Sequence, residues 1–269
     1  GHSVTLYEKE AYLGGQAHHA DFMPDKWCMK DYKDSLIRAC EKGGVTLLTS
    51  TEATPAMIEA GGFDAVIAAC GSEPKAGPVP GSTLPHVYSP FPVFGRESEL
   101  GAHVVVIGGA MIAVDTALYL CHTGHKVTLV TRNREVAYDN TSHSHFQFSE
   151  SLQAEPNLTM ITRAQTLEIT ERAVKVEITS GGGPNFAPPG MPAPQEPPKP
   201  ETKELREIAC DSVVFSAGRR PLIDQCMQFA GLTPKFFIAG DANMLSGDPV
   251  QRHPGETSAP REDSTPHGI

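Results

Sequence analysis

Residues 103–118 read HVVVIGGAMIAVDTAL. A run of Val and Ile enters a Gly-Gly turn and leaves as an apolar stretch long enough for a helix. This strand, turn and helix sequence opens a βαβ dinucleotide-binding unit. In the G-x-G-x-x-G/A fingerprint the first glycine makes the tight turn, the second lets the backbone approach a pyrophosphate, and the third lets helix and strand pack closely. Gly108, Ala110 and Ala113 fill those places, with Gly109, Met111 and Ile112 between them. Ala113 lies within the pattern, whereas Ala110 puts a methyl where close backbone approach is wanted. The turn is weakened, but the helix N-terminus still offers N–H groups to a phosphate.

Downstream, HKVTLVTR (125–132) reads as the next strand, ending near Thr131. A site for NAD wants a carboxylate there for the ribose hydroxyls. The sequence has Thr131, Arg132 and Arg134 instead, a hydroxyl and two cations suited to a 2′-phosphate, which favours NADP over NAD. Exposed arginines after a strand are the competing, purely structural reading. His143 and His145 form H-x-H in a polar loop without a third ligand, so no metal site is expected. NLTMITR (157–163), TLEITERAVKVEIT (166–179) and KELREIACDSVVFSAG (203–218) read as short strands of a meander that returns to a central strand ending at Ala217-Gly218. Between the second and third lies a proline-rich excursion, 181–201, unsuited to sheet or helix.

Upstream, VTLYEKEAYLGGQ (4–16) is a short alternating strand, Val4 to Tyr7, ending in Glu8-Lys9 and followed by Gly14-Gly15-Gln16. Glu8 stands where a second dinucleotide unit wants its ribose-binding acid, ~20 residues beyond a glycine fingerprint that would lie before Gly1. Tyr32, Leu36, Ile37 and Cys40 recur at helical spacing over 31–42, a strand follows at 45–48, and FDAVIAACGSEP (63–74) is a buried strand running into a turn at Cys70-Gly71. Residues 74–92 are rich in Pro and Gly and read as a connection between domains. Near the end, KFFIAGDAN (235–243) is a strand closing on Gly240-Asp241.

The expected fold is therefore α/β, with two nested Rossmann-like dinucleotide-binding domains, the first of them incomplete. Residues 1–95 and 222–245 form a discontinuous FAD- or ADP-binding domain lacking its first strand and phosphate loop. Residues 96–221 form the NAD(P)-binding domain, and 246–269 form a disordered tail.

Composition narrows the function classes. Lys plus Arg total 22 against 32 Asp plus Glu, a formal charge of −10 over 269 residues, so no general attraction to nucleic acid or an anionic membrane is expected. No apolar run reaches the ~18 residues that span a bilayer, and no signal-peptide pattern opens the chain, so a cytoplasmic location is expected. The six cysteines include no C-x-x-C pair, which signals neither zinc nor a thioredoxin-like redox motif. The aromatics, Trp27 among them, are too sparse for a base-stacking platform.

Taken in order, VTLYEKEAYLGGQ, GGFDAVIAACGSEP, VVVIGGAMIAVDTALYL, VVFSAGRRP and FFIAGDAN resemble the C-terminal half of the NAD(P)H:flavin oxidoreductases related to Old Yellow Enzyme. These include the dienoyl-CoA reductase, enoate reductase and trimethylamine dehydrogenase types. The resemblance runs over about residues 1–245 apart from the proline-rich excursion. It implies that Glu8, Lys9, Gly14, Gly15 and Gln16 meet the adenosine side of FAD, or of ADP in its place, with Cys70-Gly71 at the place of a Thr-Gly pair. It implies that Gly240-Asp241 meets the ribityl or pyrophosphate, and that the turn from Gly108 to Ala113 with Arg132 holds NADPH or NADH. In such proteins electrons pass from nicotinamide to FAD, then through an iron–sulfur cluster to FMN in an N-terminal barrel domain, where an enone is reduced. Barrel and cluster cysteines have no counterpart here, and a barrel domain or a second copy of the chain is the partner that the resemblance suggests. The competing expectation is a non-catalytic remnant with decayed nucleotide sites, favoured by Ala110 and by Cys70 where the family has Thr.

Overall fold

Val104, Val105 and Val106 are wholly buried, and so are Val127, Leu129 and Val130. A strand that hides both of its faces belongs inside a parallel sheet covered on two sides. In a computed structural model, which describes residues 1–75, 79–137, 152–182, 200–216, 218–245 and 248–249, that is where they lie. The chain divides into two compact units, residues 16–36 with 74–218 and residues 1–15 with 37–73 and 219–269. The expected domain bounds differ from these units in grouping 16–36 and 74–95 with the first domain and 219–221 with the second.

The larger unit is built on β5 (Val87–Tyr88), β6 (His103–Ile107), β7 (Lys126–Val130), β8 (Leu158–Ile161) and β12 (Ser212–Phe215), in the order β5-β12-β6-β7-β8. All four pairings are parallel. Helix α3 (Met111–His122) packs on one face, where Val104, Val106, Val127, Leu129 and Val214 share a core with Ala113, Val114 and Leu118. The opposite face carries Val105, Ile107, Val130, Val213 and Phe215. It is covered by an antiparallel sheet of β9 (Ala164–Ile169), β10 (Ala173–Ser180) and β11 (Thr202–Ala209). Strand β5 lies in the stretch expected to be a bare connection. Two residues of strand give no periodicity to read, which is why it was invisible.

The smaller unit has two parallel pairs. Strand β1 (Thr5–Tyr7) pairs with β2 (Thr46–Leu48), and β3 (Ala65–Ala68) pairs with β14 (Lys235–Ile238). Tyr7 and Phe63 meet edge to face at 6.5 Å. Helix α1 (Trp27–Lys42), with residues 27–36 in the larger unit and 37–42 in the smaller, starts four residues before its apolar periodicity does, after a 3₁₀ turn at Pro24–Lys26. Pro24 and Asp25 are the start signals, a proline at the first helical position and an acid near the N-terminus. Its stripe of Tyr32 and Leu36 faces outward, at 66% and 49% exposure.

Helix α2 (Pro55–Gly61) also escaped the apolar pattern, being only seven residues long. Its ends were written plainly: Thr54 accepts from the Met57 amide at 3.3 Å, and Gly62 closes it with φ +62°. Strand β4 (Ser72–Pro74) pairs with β13 (Arg219–Pro221), and a short α4 (Ile223–Met227) seats Cys226 against Ala68 and Phe236. His143, His145, Ala217, most of the proline-rich excursion and most of the tail lie outside the described residues. Among the described residues no helix is long and apolar enough to cross a membrane, and no cluster could hold a metal.

Candidate functional site: two sets of strand ends

In the larger unit the C-terminal ends of β6, β12 and β7 gather the glycine turn. Gly108 is at φ +148°, and a Cβ there would stand 2.4 Å from the Ser216 carbonyl oxygen and 3.0 Å from the Ala113 Cβ. Both the backbone and the space demand glycine. Ala113 is fully buried against that turn, which explains why an alanine serves as the third fingerprint position. Ala110 is the N-cap of α3 at φ −80° and ψ 169°, an extended conformation that alanine adopts without strain, and it supplies no side-chain cap. The Ala113 and Val114 amides both return to its carbonyl, at 3.0 and 3.2 Å. The first-turn amides of a helix, together with its dipole, form an anion site without any side chain.

Thr131 is only 3% exposed. A Cβ on Gly109 would meet its Oγ1 at 2.2 Å, and that hydroxyl accepts from the Asn133 amide at 3.2 Å. Thr131 is therefore packed into the turn, while Arg132 and Arg134 are exposed at the strand end. The following loop folds back over the turn, because the Ala137 amide donates to the Gly109 carbonyl at 2.7 Å. Met111 and Ile112 begin α3 on the same side, and Gly218 (φ +108°) follows β12.

Sequence reasoning passed over Asp115. It sits on α3 at 4% exposure, with the Lys26 Nζ 3.0 Å from one carboxylate oxygen and the His19 Nε2 3.5 Å from the other. His19 Nδ1 lies 2.7 Å from the Gln16 carbonyl. The only signal was an acid inside an apolar helix, which says that a cation must be near but not which one. A wide depression of about 470 Å³, lined by His103, Glu171, Arg172, Cys210 and Asp211, lies at the other ends of these strands, away from the glycine turn.

In the smaller unit Glu8-Lys9 follow β1, while Cys70-Gly71 and Gly240-Asp241 follow the paired strands β3 and β14. Glu8 is half-buried at the end of β1, and its Oε1 accepts from the Glu10 amide at 2.9 Å, which orients the carboxylate. Gly71 and Gly240, at φ +77° and +66°, turn the chain out of β3 and β14. Burial pushes the Cys70 thiol up to about 12, aided by its contact with Cys226 and opposed by the positive charge of Lys9. The thiol thus stays protonated. Gly14 (φ +104°) and Gly15 (φ +51°) both take left-handed conformations, and Gln16 is the second residue of a 3₁₀ stretch, Gly15–Phe22.

Ser72, Arg219 and Asp241 form the set that sequence reasoning missed, apart from Asp241. The Ser72 hydroxyl donates to Asp241 Oδ2 at 3.0 Å and accepts from Arg219 Nε at 2.9 Å, and Arg219 Nη2 also donates to the Ser72 carbonyl. Burial pulls the Arg219 guanidinium below its ordinary value, while Asp241 and then Glu73 hold it up.

The chain is 29% identical over 250 residues to a bilirubin reductase of Mediterraneibacter gnavus (strain CC55_001C), covering 92% of this chain and 35% of that protein. It is 35% identical over 154 residues to an NADH oxidase of Thermoanaerobacter brockii, covering 56% of this chain and 24% of the other. Among solved structures, a 2-naphthoyl-CoA reductase superimposes with a TM-score of 0.75 at 23% identity, over 90% of this chain and 33% of that one. A histamine dehydrogenase from Rhizobium sp. 4-9 does so at 0.64 and 19% identity, over 97% of this chain and 41% of that one. The chain thus spans about a third or less of the curated relatives' length. The resemblance to Old Yellow Enzyme-related flavoproteins and the Rossmann-like fold are both borne out. With residues 1–249 matching it, the chain belongs to the pyridine nucleotide-disulphide oxidoreductase family.

Proposed function

We propose that the chain is an NAD(P)H-to-flavin module of a larger oxidoreductase. The observation that carries this reading is the pair of strand-end constellations in one chain, one around a glycine turn and a helix N-terminus, the other around Glu8 and Asp241. The residues fit the groups. Gly108 and Gly109 leave no room for a side chain where the backbone must come close to a pyrophosphate, and α3 offers its positive end to the phosphates. Arg132 and Arg134 supply the cations for a 2′-phosphate, so NADPH is the preferred nucleotide, with NADH the lesser one. Glu8 accepts the ribose hydroxyls of FAD, or of ADP in its place, and Asp241 meets the other end of the flavin's linker. Bound flavin supplies hydride acceptance and onward electron transfer. The protein holds and orients the two groups and keeps the nearby Cys70 thiol protonated and out of the chemistry. An enone or enoyl-type substrate, with FMN and an iron–sulfur cluster in a separate barrel domain, is the destination of the electrons in this reading.

Absorbance spectra of the purified protein with and without added FAD, followed by anaerobic NADPH, are the direct test. Bleaching of the flavin band by NADPH, faster or at lower concentration than by NADH, is the expected outcome. Arg132→Glu reverses that preference. Equal affinities for the two nucleotides would remove the NADP assignment. A protein that takes up neither nucleotide nor flavin would instead be the non-catalytic remnant, a reading that Ala110 and Cys70 favour.

A further inference from the structure

The chemistry at the strand ends of the smaller unit extends beyond the residues that the glycine pattern marks. Ser72 follows Gly71 directly, and its hydroxyl is used in both directions, as donor to Asp241 Oδ2 at 3.0 Å and as acceptor from Arg219 Nε at 2.9 Å. A hydroxyl has a single proton, so once the guanidinium occupies a lone pair, that proton is committed to the carboxylate. Arg219 makes a second bond to the Ser72 carbonyl. The planar guanidinium grips both oxygens of one residue and leaves the serine little rotational choice.

We propose that Ser72 and Arg219 are positioning residues that aim the Asp241 carboxylate at the ribityl hydroxyls of the flavin, holding one carboxylate oxygen so that the other accepts from the ligand. The inference rests on the reading of the smaller unit as a flavin site. It adds that the affinity conferred by Asp241 depends on a serine 169 positions away in sequence. Fixing a charged acceptor before the ligand arrives removes an ordering cost from binding. The same logic makes the three residues a unit whose losses do not add.

The test is FAD binding by fluorescence titration and ADP binding by calorimetry on the same protein, because ADP carries the two phosphates but no ribityl chain for Asp241 to meet. Ser72→Ala is expected to weaken FAD by about tenfold and leave ADP unchanged, and Ser72→Thr, which keeps the hydroxyl, to restore FAD to within about threefold. Asp241→Asn weakens FAD comparably, and adding Ser72→Ala to it produces no further loss, since the serine acts only through the carboxylate. Additive losses, or a Ser72→Ala protein that binds FAD normally, overturn the inference while leaving the flavin reading standing. Parallel loss of ADP and FAD with a lowered Tm makes the trio a structural clasp and also overturns it. A wild-type protein that binds ADP without FAD, or neither, overturns this inference and the flavin reading together.

Discussion

Tyr119 shows how much one side chain can organise. Its phenol donates to Glu97 Oε2 at 2.5 Å and accepts from the Gly95 amide at 2.9 Å, while its ring stacks obliquely on Phe94 at 4.8 Å. Burial, then the Glu97 carboxylate, push the phenol from 10.0 up to about 12, and the same hydrogen bond holds Glu97 below its ordinary value. The signs are opposite. A raised phenol contributes stability that is fully present below pH 10 and lost as pH rises toward 12. A lowered carboxylate contributes stability present above its ordinary 4.5 and lost as pH falls through its folded value. Tyr119→Phe should cost roughly 0.5–1.5 kcal/mol at neutral pH, the usual net worth of a hydrogen bond whose partners can turn to water. Chemical unfolding across pH checks this, and a Phe variant whose stability tracks the parent at both extremes contradicts it. Ala110 gives a second prediction. Glycine is a better N-cap than alanine and opens the backbone to a phosphate, so Ala110→Gly should tighten NADPH binding by about 1 kcal/mol. Calorimetry showing no gain would mean that the phosphate does not sit on this turn.

At the scale of elements, β6, α3 and β7 were legible because continuous burial leaves an unbroken run of Val, Ile and Leu, and because Gly-Gly punctuates strand and helix. Glu8, Gly71 and the Gly240-Asp241 pair were legible because each is the first polar or glycine punctuation after a short apolar strand. Ser72, Arg219 and Asp115 were not. Each does its work through a partner distant in sequence, and a lone serine or arginine carries no mark of which carboxylate it will meet. Thr131 was visible, but its orientation was not, since only the packed turn reveals that its hydroxyl rests on Gly109. Strand, turn and returning loop thus form one interlocked piece. Gly109→Ala would drive a methyl to 2.2 Å from Thr131 Oγ1 and 2.8 Å from its Cβ. It should cost about 1–3 kcal/mol by overpacking. Thr131→Gly in the same protein should return part of that loss, and Tm values that simply add would show that the two residues do not touch.

Across the whole molecule the two units differ in how completely they are sheathed. The five-stranded sheet is covered on both faces, whereas among the described residues β1 pairs only with β2 and β3 only with β14. On the β3–β14 pair, Ile67 and Phe237 are in register and 68% and 40% exposed. Parallel strands are ordinarily buried on both faces. On this open face Ile67→Thr should change stability by no more than about 0.5 kcal/mol, as exposed sites generally do, and a larger fall in Tm would show that this face is covered.

The lock between Thr131, Gly109 and the Ala137 amide carries a consequence for sequence drift. With strand end, turn and returning loop resting on one another, a change at one of these positions is tolerated only when a partner changes too, so among relatives they should vary together and seldom singly.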